Sequence, residues 1–253
     1  MKVSVVTVAY NAVRTIAATV RSVAEQGHAD LEHIIVDGGS TDGTLDLLSL
    51  LGHPRLTWRS GRDGGIYDAM NTGVARASGD AVIFLNADDR FAASDVVAAA
   101  VGAFSAAGEA DLVWGHVLAE AAGGPKRLPQ PPALDRRVLA RTTICHQAMF
   151  ARRRLFERIG GFDVALPIVA DWEWLYRATM IAGVAVCHID RDIAVIGVDG
   201  VSHTVDFEAE KRAALARYYS PLEIALWRRL PLAVRRMKRQ VRGLAASPGS
   251  SGG

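Results

Sequence analysis

Asp88 and Asp89 close an uninterrupted apolar run, residues 81–85, with only Asn86 and Ala87 between. Adjacent carboxylates repel each other unless a proton or a cation intervenes, and their oxygens suit a hard divalent ion, Mg²⁺ or Mn²⁺. Such an ion in turn suits a phosphate-bearing substrate. Five apolar residues after Gly79 read as a strand buried on both faces, the kind found in parallel sheets, whose carboxyl edge faces the ligand crevice. The same pair also fits a turn capping the next helix through backbone N–H groups near residues 92–94. What the rest of the chain brings beside the pair decides between these readings.

The preceding elements are those of a βαβ series. Residues 3–8 form a first strand. Asn11 then stands as N-cap to a helix whose apolar positions Val13, Ile16, Val20 and Val23 recur at helical spacing until Gln26-Gly27. Residues 31–36 form a second strand, which runs into the Gly- and Asp-rich turn 37–43 and a short helix through Leu45, Leu47, Leu48 and Leu51. Residues 55–60 read as a weaker edge strand and 61–65 as a glycine-rich loop. Residues 66–77 read as a helix with Ile66, Met70 and Val74 on one face. Right-handed crossovers put every strand-to-helix loop on one edge of such a sheet. Residues 10–11, 37–42, 62–68 and 86–89 should therefore converge in one acidic, glycine-lined crevice suited to a metal-bound nucleotide.

A helix at 93–107 and a strand at 110–118 extend the layer, and the proline-rich stretch 123–132 reads as a loop or hairpin tip with no core of its own. Residues 142–150 read as a strand returning to the sheet, 152–159 as a short helix closed by Gly160-Gly161, and 171–181 as a helix following Pro167. There is no internal repeat. The organisation expected is one domain, 1–219, with a donor half at 1–118 and an acceptor half at 119–219. A helical segment, 220–246, and a disordered Gly/Ser tail, 247–253, follow.

Half of the 253 residues are apolar and 22% charged, enough for a real core, and a net charge of +2 gives no footprint for a nucleic-acid partner. Cys145 and Cys187 have no metal-ligand spacing and read as reduced core residues. The short apolar run after Lys2 reads as a strand rather than a signal peptide. No stretch approaches the roughly 20 apolar residues of a membrane span, so the protein is expected to be cytoplasmic, soluble or peripheral. Trp227, Leu230, Val234, Met237, Val241 and Leu244 recur at three- and four-residue spacing, with Arg228, Arg229, Arg235, Arg236, Lys238, Arg239 and Arg242 on other faces. This basic amphipathic helix suits either packing on the domain or anchorage on anionic lipid at the inner face of the plasma membrane.

Six segments in order, SVVTVAYN, IIVDGGSTDGT, GIYDAMNTGVARASGD, FLNADD, HQAMF and VADWEW, span residues 3 to about 177. Together they resemble the family 2 glycosyltransferases of the GT-A fold. The resemblance implies an α/β domain with a mostly parallel central sheet flanked by helices, a Rossmann-like donor half plus an acceptor half. It implies inverting transfer of a sugar from a nucleotide diphosphate to an acceptor hydroxyl, in surface polysaccharide or glycolipid assembly. The acceptor would be a saccharide or a lipid-linked saccharide, and the cofactor Mn²⁺ or Mg²⁺.

Carried over by position, Thr7, Ala9 and Tyr10 would wall the nucleobase and ribose, Asp37 would accept from base or ribose, and Asp68 and Asp63 would lie near the nucleoside and the acidic pair. Asp88 would face the ribose and the metal, Asp89 the metal bridging the phosphates, with His203 a further contact in the turn 199–203. Asn86 departs from the pattern, standing where many relatives have another aspartate. Asp171 resembles the catalytic base, a carboxylate placed to take the acceptor hydroxyl's proton, although its position also suits an N-cap. His146 and Gln147 are acceptor contacts or core residues, Trp172 an acceptor platform or core, Trp174 core, and Asp42 a turn residue. A nucleotidyltransferase or a non-catalytic nucleotide-sugar-binding module would use similar acidic residues. The former usually carries a basic Gly-rich N-terminal loop absent here, and the latter would dispense with Asp171.

Overall fold

The protein, seen in a computed structural model, is described here over residues 1–106, 108, 110–197 and 208–228. The first half is built from β1 (Val3–Ala9), α1 (Ile16–Ala24), β2 (Leu31–Asp37), α2 (Thr44–Leu50), β3 (Leu56–Ser60), α3 (Ile66–Arg76) and β4 (Ala81–Asn86). These four strands lie in the order β3-β2-β1-β4, all parallel, so their carboxyl ends share one edge. β1 is central because every residue in it is apolar or small enough to be covered on both faces.

Alternate residues of β1 and β4 serve two cores. Val6, Val8, Val82 and Phe84 join a cluster with Phe156, Phe162, Trp174 and Tyr176. Val3, Val5, Ala81, Ile83 and Leu85 join one with Val23, Val96, Ala100 and Phe104. α3 packs so closely on β1 that a Cβ on Gly73 would stand 2.3 Å from a Val6 methyl carbon.

The second half adds β5 (Arg90–Phe91), α4 (Val96–Ala106), β6 (Leu112–Ala119), β7 (Lys126–Leu128), α5 (Arg136–Leu139), β8 (Met149–Arg152), α6 (Arg153–Ile159), α7 (Ala170–Tyr176), β9 (Val186–Ile196), α8 (Glu208–Ala216) and α9 (Pro221–Arg228). The sheet continues β4-β8-β6-β9-β5, with β8 antiparallel to both β4 and β6 and β9 parallel to β6. The result is an α/β sandwich of helices around one mixed sheet, nine-stranded among the described residues, whose first half is parallel.

Several sequence expectations are corrected. Asn11 is not an N-cap: α1 starts at Ile16, and Asn11 has a left-handed φ of 49°, with its side-chain carbonyl accepting from Thr41 N at 2.9 Å. Asn tolerates that conformation, and the result is a tie between two loops. Residues 142–150 are not one strand; a 3₁₀ turn, His146–Ala148, interrupts them and only Met149–Arg152 pairs with the sheet. The stretch 123–132 is not coreless, since β7 pairs with β6 and Leu128 and Gln130 are buried. The helix expected at 171–181 is α7 followed by a π turn, Arg177–Ile181. No helix among the described residues is long and apolar enough to cross a membrane. The basic C-terminal segment beyond Arg228, the tail, and the turn 199–203 with His203 lie outside the described residues.

Candidate active site

The carboxyl ends of β1 and β2 place the first loops together. Asp37 is fully buried and its Oδ2 accepts from Gly39 N and Ser40 N at 2.9 Å each and from Ser60 Oγ at 2.6 Å, while the Ser40 hydroxyl donates to Oδ1. The carboxylate thus holds its own turn in shape. Asp42 does the same for the next turn, accepting from Val13 N at 3.1 Å and Thr44 N at 3.0 Å. Thr7 and Ala9 are core residues: the Thr7 hydroxyl is 2.9 Å from His33 Nε2, and Ala9 packs with Ile16, Ile35 and Leu48. Of the three residues expected to wall a nucleoside, only Tyr10 presents its side chain, 68% exposed. It lies beside Gly38, where a Cβ would meet Tyr10 Cδ2 at 3.4 Å and Asp63 Oδ2 at 2.9 Å. Asp63 and Asp68 shape the loop between them, accepting from Gly65 N at 2.9 Å and Gly64 N at 2.8 Å.

The acidic pair ends β4, and its members differ. Asp89 is 2% exposed; its Oδ2 accepts from Asn86 N and Gln147 Nε2 at 3.0 Å each, and its Oδ1 from Gly197 N at 3.2 Å. Burial, with the neighbouring Asp88 charge second, raises its carboxyl from an ordinary 3.8 to about 6, against the pull of the Gln147 hydrogen bond. Asp88 is half-buried and no described residue donates a hydrogen bond to it. Gly197 packs against it so tightly that a Cβ there would stand 2.6 Å from Asp88 Oδ2. Among the described residues no cluster of three or more His, Cys, Asp or Glu could enclose a metal. The donor set fits a hard ion held by one or two carboxylates and completed by phosphate oxygens and water: Asp88 is free to ligate, and a cation would relieve the Asp88 repulsion that adds to burial in raising Asp89.

The 3₁₀ turn brings the second half to this edge. Its Gln147 reaches Asp89, and its His146 stands between two further residues, Nε2 3.4 Å from Asn86 Oδ1 and Nδ1 3.4 Å from Asp171 Oδ2. These contacts are long, as catalytic hydrogen bonds often are before a substrate binds. Asp171 lies in the first turn of α7, whose N-cap is Val169, so it does not cap the helix; its Oδ1 accepts from Trp172 N at 2.7 Å. Burial raises the Cys145 thiol to about 12, reinforced by the charges of Asp171 and Asp89, which keeps it protonated and unreactive. Trp172 is no acceptor platform. It is 1% exposed and its indole N–H donates to Leu139 O at 2.7 Å, because an indole beside a helix start is buried once its N–H finds a carbonyl. Trp174 is core as expected, its ring stacked on Phe156 at 4.4 Å.

Asn86, Asp88, Asp89, His146, Gln147 and Asp171 therefore form one acidic cluster from three distant stretches. Two residues beside it were not singled out from sequence. Tyr67 has its hydroxyl on Ile168 O at 2.8 Å, and burial and the Asp171 charge push that hydroxyl well above its ordinary range. It sits inside the matched segment GIYDAMN. Gly197 carries no local signal at all.

The glycosyl transferase family 2 model matches residues 4–160. A PGL/p-HBAD biosynthesis glycosyltransferase of Mycobacterium bovis is 34% identical over 244 residues, 92% of each chain, and an uncharacterised glycosyltransferase of Mycobacterium tuberculosis is 40% identical over 181 residues, 71% of this chain and 69% of that one. Among solved structures, Staphylococcus aureus TarS in complex with UDP-GlcNAc superposes with a TM-score of 0.71 at 19% identity, over 95% of this chain and 70% of that one. The mannosyltransferase PcManGT from Pyrobaculum calidifontis, in complex with GDP-Man and Mn²⁺, gives 0.68 at 22% identity, over all of this chain and 76% of its own. With a GT-A architecture and this acidic edge, the chain belongs to glycosyltransferase family 2 and is a glycosyltransferase.

Proposed function

We propose that this enzyme transfers a sugar, with inversion, from a nucleoside diphosphate sugar to an acceptor hydroxyl, with a divalent cation bound at Asp88. The observation that carries this reading is the linkage of Asp171 to the acidic pair through His146–Asn86 and Gln147–Asp89. A nucleotide-binding module has no need of a second carboxylate held at that place.

Asp88 would hold the ion from its free carboxylate, and Asp89, fixed by three donors, would set the turn from which Asp88 projects. The chemistry that Mn²⁺ or Mg²⁺ held there would supply is neutralisation of charge on the departing diphosphate. Asp171 accepts the acceptor hydroxyl's proton as its oxygen attacks the anomeric carbon from the face opposite the diphosphate. The new C–O bond forms as the bond to the diphosphate oxygen breaks, so the anomeric centre inverts without a covalent enzyme intermediate. His146 offers Asp171 a ring nitrogen on the side away from Trp172 N and keeps the carboxylate aimed across the site. Tyr10, Gly38 and Asp63 line the space left for the nucleoside.

The relative in PGL/p-HBAD biosynthesis supports a glycolipid or surface-polysaccharide setting, and the solved relatives with UDP-GlcNAc and with GDP-Man and Mn²⁺ support a nucleotide-sugar donor and a metal. The basic, amphipathic C-terminal sequence supports a cytoplasmic enzyme peripheral on an anionic membrane face. Thermal denaturation with UDP, GDP and dTDP and their sugars, each with Mn²⁺, with Mg²⁺ and with chelator, tests the donor reading. One nucleotide should raise Tm by several degrees in Mn²⁺ and lose most of that effect in chelator, an upward shift of about 5 °C corresponding to a ligand well above its Kd. No shift with any donor would remove the reading's main support.

A further inference from the structure

Asp171 is supported from an unexpected place. Two residues before the start of α7, the peptide joining Ile168 to Val169 is gripped at both ends. The Tyr67 hydroxyl, from α3, donates to its carbonyl oxygen on Ile168 at 2.8 Å. Glu210 Oε1, from the first turn of α8, accepts from its N–H on Val169 at 2.9 Å and from the preceding N–H on Ile168 at 2.9 Å. A peptide unit is planar, so fixing its oxygen and its N–H fixes its plane, and the chain leaves it into α7 in one direction. Val169 provides no side-chain cap, so the Glu210 carboxylate, arriving from another helix, supplies the missing acceptor at the positive end of α7.

Glu210 is itself held. α8 buries Ala214 and Leu215 in the core, and Arg217 pairs with Asp163 at 2.8 Å. Just beyond α8, the Tyr218 hydroxyl donates to Glu173 Oε1 at 2.5 Å, and Glu173 lies on α7 and is buried. α8 and the turn after it thus grip α7 at its entrance through Glu210 and along its length through Tyr218. Hydrogen bonds to a charged carboxylate are the stronger kind, and misplacing a reacting group by about 1 Å costs up to roughly 100-fold in rate.

We infer that Glu210 is a positioning residue for the transfer reaction: with Tyr67 it clamps the 168–169 peptide and so sets where Asp171 meets the acceptor hydroxyl. This rests on Asp171 as the proton acceptor. Glu210 and the clamped peptide lie outside the matched family segment, which ends at 160, while Tyr67 lies within it, so the clamp ties catalysis to the C-terminal helices.

The test compares wild type, Glu210→Ala, Glu210→Gln and Asp171→Asn in Mn²⁺, following nucleoside diphosphate release from UDP-, GDP- and dTDP-sugars with water and octyl glucoside as acceptors. The glutamine oxygen can still accept both N–H groups. Glu210→Ala should lower kcat roughly 10- to 100-fold with the donor KM within about twofold, and Glu210→Gln should recover to within about threefold of wild type. Hydrogen–deuterium exchange at the Ile168 and Val169 amides should accelerate in the alanine variant and stay slow in the glutamine one, a readout that stands even if the alanine variant folds poorly. An alanine variant with wild-type kcat, or a glutamine variant as impaired as the alanine one, overturns the clamp while a silent Asp171→Asn leaves the base in place. Full turnover by Asp171→Asn instead overturns the base, and the clamp with it.

Discussion

His146 Nδ1 stands 3.4 Å from Asp171 Oδ2, and this contact, with those of His146 to Asn86 and Gln147 to Asp89, joins the two halves of the active site. The imidazole's other nitrogen faces Asn86 on β4, so the ring spans from the helix that carries the acceptor-side carboxylate to the strand that leads into the acidic pair. Its side chain is 10% exposed, close to the 14% of Asp171, so both groups keep a small opening to the crevice.

Replacing His146 separates aim from fold. His146→Ala should lower kcat roughly 10- to 100-fold, the range expected when a group that orients a catalytic carboxylate is lost, with donor affinity nearly unchanged. Steady-state kinetics alongside nucleotide titration checks this. A variant with unaltered kcat would assign the histidine to packing alone.

Two glycines should give opposite phenotypes. Gly73→Ala places a methyl against Val6 in the packed interior and is expected to destabilise by about 1–3 kcal/mol, read as a lower Tm with kinetics of the folded fraction unchanged. Gly197→Ala meets the movable end of Asp88 instead, so the protein should keep its stability to within about 0.5 kcal/mol and lose cation-dependent nucleotide binding. Denaturation and calorimetry on both variants distinguish them, and a Gly197→Ala protein with full nucleotide affinity would show that the position of Asp88 is immaterial.

Asp89 sets a pH signature in the metal-free protein. Its folded value of about 6 lies above its ordinary 3.8, so the native state holds the proton more tightly. The stabilisation from this group is fully present below pH 3.8 and is lost as pH rises through 6, on the order of 1–3 kcal/mol. In chelator, wild type should therefore gain stability relative to Asp89→Asn on going from pH 8 to pH 4. Parallel stability curves for the two proteins would contradict the burial and repulsion described for this carboxylate.

The parallel half of the fold was legible because its signals are local. Apolar runs such as 81–85 and the punctuation at Gly38-Gly39 and Gly79 each determine an element within a few residues. The acidic pair and Asp171 were legible from type and resemblance. What could not be read was which of them meet. The His146 turn read as strand because residues 142–150 are mostly apolar or β-forming, yet the tertiary demand for Gln147 at Asp89 interrupts the strand. Trp172 read as a platform or core with equal local justification, and only the Leu139 carbonyl decides. β9, eleven residues with alternating polar side chains at 188, 190 and 192, was missed because its charges are paired across to Arg127 and His116. Glu210 and Gly197 meet partners far away in sequence, Ile168–Val169 and Asp88–Asp89, which no local pattern encodes.

The central claim is that Asp88 and Asp171 have separate tasks in one site, the first in holding the donor and the second in taking the proton. Nucleotide affinity in Mn²⁺ and nucleoside diphosphate release, measured on Asp88→Asn and Asp171→Asn with the nucleotide that stabilises the wild type, test it most directly. The account predicts that Asp88→Asn loses binding about 10-fold or more, and that Asp171→Asn binds as wild type does while its turnover falls by at least about 100-fold. An Asp171→Asn enzyme that still turns over, or an Asp88→Asn enzyme that binds donor normally, would contradict it.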